Sequence, residues 1–161
     1  MKKQDGYELM ISLDSAVIRF KFYSTGSKGT IEKIIEFTYL QDNYWNLGFG
    51  DVNGNDWDDN VISDNNDLRK VLQTIANAVH TFFEYYPEHG ILIIPLDNQR
   101  KLLYNRVFQQ KWKEIDLIFT VKAGTISSTP PKLEDYSSLK MFDDFVICRK
   151  NGIFDFQNLL L

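Results

Sequence analysis

Apolar and polar positions alternate through the first fifty residues, with the period of extended chain. Tyr7 to Leu13 alternates weakly, and Val17 to Tyr23 sets Arg19 and Lys21 against Phe20 and Phe22, the pattern of a half-buried strand. The loop STGSKGT turns the chain on its glycines, which tolerate positive φ. Thr30 to Leu40, β-branched and aromatic, reads as the partner strand. Tyr44 to Val52 is a fourth strand, in which Gly48 and Gly50 mark a bulge or a close backbone approach.

The period then changes. Residues 53–67, NGNDWDDNVISDNND, form an acidic loop whose last residues, Asp64, Asn65, Asn66 and Asp67, offer N-caps for a helix. Leu68, Val71, Leu72, Ile75, Val79, Phe82 and Phe83 follow at helical spacing, and Pro87 and Gly90 end the helix. ILIIPL, residues 91–96, is apolar on both faces and reads as a central strand limited by Pro95. A second helix is expected from about Gln99 to Glu114, with Leu103, Val107 and a position near Trp112 inward. Asp116 to Lys122 reads as a strand, ISSTPPKLEDYSS as a loop, and Phe142 to Arg149 as another strand. Asn151-Gly152 is a type I′ hairpin signal that would let Ile153 to Phe156 pair back. The fold class expected is α+β: a mostly antiparallel or mixed β-sheet with two main helices packed on it.

No repeat, low-complexity tract or charged linker divides the chain, so residues 1–161 are expected to form a single domain with a core at about 7–150 and a C-terminal extension at 151–161. Hydrophobic residues make up 43% and aromatic residues 14%, which suits a large rigid core, an aromatic contact surface, or both. The single cysteine, Cys148, lies in the strand FVICRK and reads as a small buried hydrophobe rather than a reactive thiol. The start, MKKQDGYELMISLD, lacks the apolar stretch of a signal peptide, and no apolar run is long enough to span a membrane. The location expected is the cytoplasm. A net charge of −4 speaks against non-specific duplex binding, which draws its affinity from Lys and Arg.

Asp51, Asp56, Asp58, Asp59, Asp64 and Asp67 are hard oxygen ligands of the kind calcium and magnesium prefer. The EF-hand order is missing, however: counted from Asp51, Gly54 stands fourth and Ile62 twelfth. A solvated, helix-capping loop without metal is the expectation. His80 and His89 lack metal-ligand spacing to each other or to Cys148. The chain carries no nucleophile elbow, zinc-protease motif or dinucleotide fingerprint, so no cofactor is expected. Arg100, Lys101, Arg106, Lys111 and Lys113 fall in the second helix, either as an anion-binding face or as a solvated surface.

The segments FYSTGSKGTIEKIIEF, YWNLGFGD, NVISDNNDLRKVLQTIANAVHTFFEYYP and LLYNRVFQQKWKEI, in this order, resemble a bacterial family of unknown function, mostly from Bacteroidetes. The resemblance covers roughly residues 7–150 and implies a bacterial cytoplasmic protein. The element order, with Asn98 and the pair Leu103-Tyr104 on the second helix, also looks like the later half of the GNAT acetyltransferase fold. That likeness implies Tyr104 as general acid. It departs from the pattern where the coenzyme A pyrophosphate would sit, because SDNNDLRK replaces a basic, glycine-rich turn.

Three functions remain open. The leading one is a non-enzymatic binding or regulatory module acting through a protein partner or as a homo-oligomer, by analogy in a toxin–antitoxin or phage-defence setting. An exposed aromatic patch at Trp45 or Trp57 is the feature expected of it. The alternative is a GNAT-like acetyltransferase using Tyr104. The third is single-stranded nucleic-acid binding through the basic helix, which the acidic net charge disfavours.

Overall fold

The computed structural model describes residues 5–54, 56–58 and 65–152, with the backbone alone for 56–58. Among these residues, nine strands and two helices follow in the order β1 (Met10–Leu13), β2 (Val17–Gly26), β3 (Gly29–Gln41), β4 (Tyr44–Asn53), β5 (Asp56–Asp58), α1 (Leu68–Tyr85), β6 (Gly90–Ile93), α2 (Asn98–Ile118), β7 (Phe119–Thr125), β8 (Lys132–Asp135) and β9 (Asp144–Arg149). Strand pairing runs β1-β2-β3-β4-β6-β9-β7-β8, with β5 on β4. The sheet is mixed because β4 and β6 run parallel. Their connection contains α1, the kind of crossover that parallel neighbours require. The remaining described pairs are antiparallel, so the fold is α+β as the residue pattern predicts.

The residues divide into two compact units: Met1–Tyr39 with Leu47–Tyr85, and Leu40–Asn46 with Tyr86–Leu161. In the first, β2 and β3 form a long hairpin whose two-residue turn, Ser27-Lys28, is flanked by the paired Gly26 and Gly29. Both glycines are required there. Gly29 has φ 85°, and a Cβ on Gly26 would lie 1.8 Å from the Asn65 carbonyl oxygen. Ile18, Phe20 and Phe22 of β2 share a face with Phe37, Ile35 and Lys33 of β3, their register partners. Helix α1 covers this face, Phe82 stacking on Phe37 at 4.7 Å between ring centroids, with Val71, Ala78, Val79 and Phe83 also buried.

In the second unit, the turn Asp42-Asn43 has φ values of 50° and 65°, a pair that suits a two-residue hairpin. The first residues of β4 then pair with β6, whose other side pairs with β9. The central position expected of ILIIPL follows, and the strand stops at Ile93, ahead of Pro95. Helix α2 stacks Phe108 on Phe145 of β9 at 4.2 Å and buries Ile115.

Three local expectations need correction. Helix α2 runs to Ile118 rather than Glu114, and its strand starts at Phe119 rather than Asp116. Neither Gly nor Pro interrupts Asp116 to Ile118, and the Phe119 N–H closes the last turn on the Ile115 carbonyl. Strand β8 falls within the segment read as a loop, where Lys132 to Asp135 pair with β7. Its charged composition masked the strand pattern. Strand β5 likewise forms within the acidic stretch, Asp56–Asp58 pairing with Asn53–Asp51. Asn151, at φ 69°, does turn the chain, and the Gly152 N–H donates to the Arg149 carbonyl at 2.8 Å. The pairing expected of Ile153 to Phe156 lies outside the described residues.

Candidate functional site

The polar residues singled out in the sequence are largely engaged within their own units. Asp97 caps α2, accepting from the Arg100 N–H at 2.7 Å, while its other oxygen takes Arg100 Nη1 at 2.5 Å. The backbone donation from Arg100 leads in holding the Asp97 carboxyl below its ordinary value. Arg100 itself is only 4% exposed, and its Nη2 is buried without an acceptor at hydrogen-bonding geometry. Tyr104 lies one turn on, beside this guanidinium. Burial pushes its phenol above the ordinary value, outweighing the opposing pull of Arg100. Such a phenol stays protonated at neutral pH.

Lys101 pairs with Asp143 at 2.6 Å, and Thr125 donates to the same carboxylate. Lys111 lies 4.0 Å from Glu114, while Arg106 and Lys113 are exposed. At about 100° per residue, Arg106 and Lys113 share one side of α2, Arg100 and Lys111 another, and Lys101 a third. The five cations therefore do not form one face.

Trp45 is buried, 2% exposed, and donates from Nε1 to His89 Nδ1 at 2.9 Å. Its ring packs 5.1 Å from Tyr86, which in turn lies 4.8 Å from His89. Accepting at Nδ1 requires the neutral ring with its proton on Nε2, and burial lowers the His89 pKa accordingly. Trp45 is thus a core residue and not the surface contact expected of it. The Trp57 side chain is outside the described residues.

In the first unit, the residues before α1 are tied to the β2–β3 hairpin. Asp67 accepts from Tyr7 Oη at 2.6 Å and from Ser24 Oγ at 2.5 Å. Asn65 spans the turn, accepting from the Lys28 N–H at 2.6 Å and donating to the Gly29 carbonyl at 2.8 Å. Where the acetyltransferase likeness would put a phosphate, the carboxylate of Asp67 is held by two hydroxyls. Lys33, on the apolar face of β3, meets Asp51 of β4 at 2.5 Å.

Among the described residues, one group of open apolar side chains lies at β1. Met10, Ile11 and Leu13 are 45%, 44% and 59% exposed, although Ile11 and Leu13 stand opposite the fully buried Phe20 and Ile18. Ile11 and Leu13 continue the apolar face of the hairpin, open with respect to the described residues. β1 also ends the strand order, so one row of its backbone groups is unpaired among the described strands. The Asp14 N–H donates to the Val17 carbonyl at 2.8 Å, next to the Leu13–Ile18 pair. Antiparallel alternation then directs Ser12 and Met10 toward β2, and the N–H and C=O of Ile11 and Leu13 outward. Sequence reading identified this strand but missed the edge. The available signal was MISL itself, four residues with no charge to guard them.

Among the described residues no helix is long and apolar enough to cross a membrane. A family model described as a family of unknown function (DUF6934) matches residues 3–150. No curated protein and no solved structure matches the chain.

Proposed function

We propose, for a chain that belongs to this family of unknown function, a non-enzymatic binding module that acts by adding a strand at β1, from a protein partner or another copy of itself. The observation that carries this reading is the pairing of outward backbone groups with uncovered apolar side chains at Ile11 and Leu13. Strand addition takes affinity from main-chain hydrogen bonds and specificity from alternate side chains, and β1 offers both. Engagement of Arg100 by Asp97, and of Asp67 by Tyr7 and Ser24, supports a scaffold role for the polar clusters.

The module is bacterial and cytoplasmic in this reading, supported by the sequence resemblance, by the buried free Cys148, and by the acidic net charge. A regulatory role within a toxin–antitoxin or phage-defence operon suits a small module of this kind. The test compares wild type with an Ile11→Lys/Leu13→Lys double variant by light scattering, alone and after mixing with soluble extract of the source cells. The lysines should abolish the associations wild type makes. A double variant that keeps all of them contradicts the reading.

A further inference from the structure

We infer that His89 is an acid-sensitive latch, whose neutral ring ties the turn ahead of β6 to Trp45 and whose protonation releases that turn.

The turn at 86–89 is closed by donation from the His89 N–H to the Tyr86 carbonyl at 3.2 Å. The next residue, Gly90, opens β6 and donates to the Asn43 carbonyl at 2.9 Å. The His89 ring adds a side-chain anchor through the bond from Trp45 Nε1 at 2.9 Å. Trp45 is a fixed point for it, being 2% exposed and paired in register with Ile91 of β6. The Tyr86 ring lies 5.1 Å from the indole and the His89 ring 6.3 Å, so both ends of the turn meet the same side chain.

An indole N–H only donates, so this bond lasts only while His89 Nδ1 keeps its lone pair. A proton added there sets two donors against each other at 2.9 Å and places a charge on a half-buried ring. The titratable and charged groups around the contact are Tyr86 and Glu88 on the turn, Asp42 beside Asn43, and Cys148 and Arg149 of β9. Cys148 is the register partner of Gly90, and burial pushes its thiol up to about 11, so it stays neutral while His89 titrates. Glu88 favours the imidazolium, but burial of the ring outweighs it. The folded pKa of His89 therefore lies below the unfolded value of about 6.5. Stabilisation by the latch is complete above the unfolded value and is lost as pH falls through the folded one.

The test is NMR of the full chain between about pH 7.5 and about pH 5, a range above ordinary carboxylate titration. Nitrogen-15 signals of the imidazole follow His89, and solvent exchange follows the Trp45 indole N–H. The expected result is a His89 ring protonated on Nε2 at the upper end. Protection of the Trp45 N–H, corrected for intrinsic exchange, should then fall about tenfold at the lower end, the factor that one net hydrogen bond is worth. Its midpoint should coincide with that of His89, while the Trp112 indole changes little. His89→Phe keeps a ring but offers no acceptor, and should show the low protection at both ends. Trp45 protection that is constant across the range overturns the latch, as does a pH dependence that persists in His89→Phe. A His89 pKa above about 6.5 also overturns it, because Glu88 and attraction to the neighbouring rings would then outweigh burial. If His89→Phe does not fold, the wild-type midpoints decide alone: a Trp45 midpoint apart from that of His89 overturns the latch.

Discussion

Asn105 of α2 grips the backbone of Phe142: its Nδ2 donates to the Phe142 carbonyl at 2.9 Å, and its Oδ1 accepts from the Phe142 N–H at 2.9 Å. The side-chain amide thereby satisfies both main-chain groups of a buried residue ahead of β9. Nδ2 also reaches the Lys101 carbonyl at 2.8 Å. Asn105→Ala would take this partner from the Phe142 N–H and carbonyl, a cost of about 2–4 kcal/mol. The urea midpoint should fall with the slope unchanged. A variant with the wild-type midpoint would show that the grip adds nothing.

Lys33 and Asp51 pose a different problem, because both are buried within the first unit. Lys33→Met deprives Asp51 of its cation and should destabilise by about 3–5 kcal/mol. Adding Asp51→Leu should recover most of that loss, since an apolar pair of similar volume avoids the desolvation cost. Urea unfolding of both single variants and the double variant gives the coupling. Additive losses would contradict a paired burial.

The bonds from Tyr7 and Ser24 to Asp67 anchor the start of α1 to the hairpin. Asp67→Asn keeps the shape and loses the charge, which should cost about 1.5–3 kcal/mol. Tyr7→Phe should cost less once Asp67 is changed, because the hydroxyl has then lost its charged acceptor and keeps only the Thr25 N–H and carbonyl. A double-mutant cycle checks this, and full additivity would contradict the shared network.

Asp143 and Asp144 are neighbours with opposite shifts. Hydrogen bonds from Lys101 and then Thr125 hold the Asp143 pKa down, whereas burial pushes that of Asp144 up despite a bond from the Ile126 N–H. With an unfolded value of about 3.9, the Asp143 contribution to stability is present above that pH and is lost as pH falls through the lower folded value. The Asp144 effect has the other sign: it stabilises below about 3.9 and fades as pH rises through the raised folded value. Carboxyl titration by NMR should find Asp143 titrating at the lower pH. The reverse order would contradict the assignment of burial to Asp144.

Much of the fold was legible because hydrophobic period encodes it. Alternation marked β2 and β3, the Phe82–Phe83 stripe marked α1, and the acidic and amide residues before Leu68 marked its start. β8 was hidden because an exposed edge strand has little apolar pattern to show. The placement of side chains was harder to read. Lys33 stands at a core parity in β3, and a lone charge there signals a buried partner without naming Asp51. Trp45 advertised a contact surface by residue type alone, yet the His89 ring fills its hydrogen-bonding need inside the core. Exposure at β1 depended on how far α1 reaches across the hairpin, which local sequence does not specify.

The most direct test of the β1 edge is amide hydrogen exchange in the full chain as concentration rises from about 1 to about 300 μM, a span that covers modest self-association. Met10 and Ser12, directed toward β2, serve as internal references. The account predicts that exchange at Ile11 and Leu13 slows with concentration while the references change little. Exchange at Ile11 and Leu13 that is the same at every concentration would contradict pairing between copies at this edge.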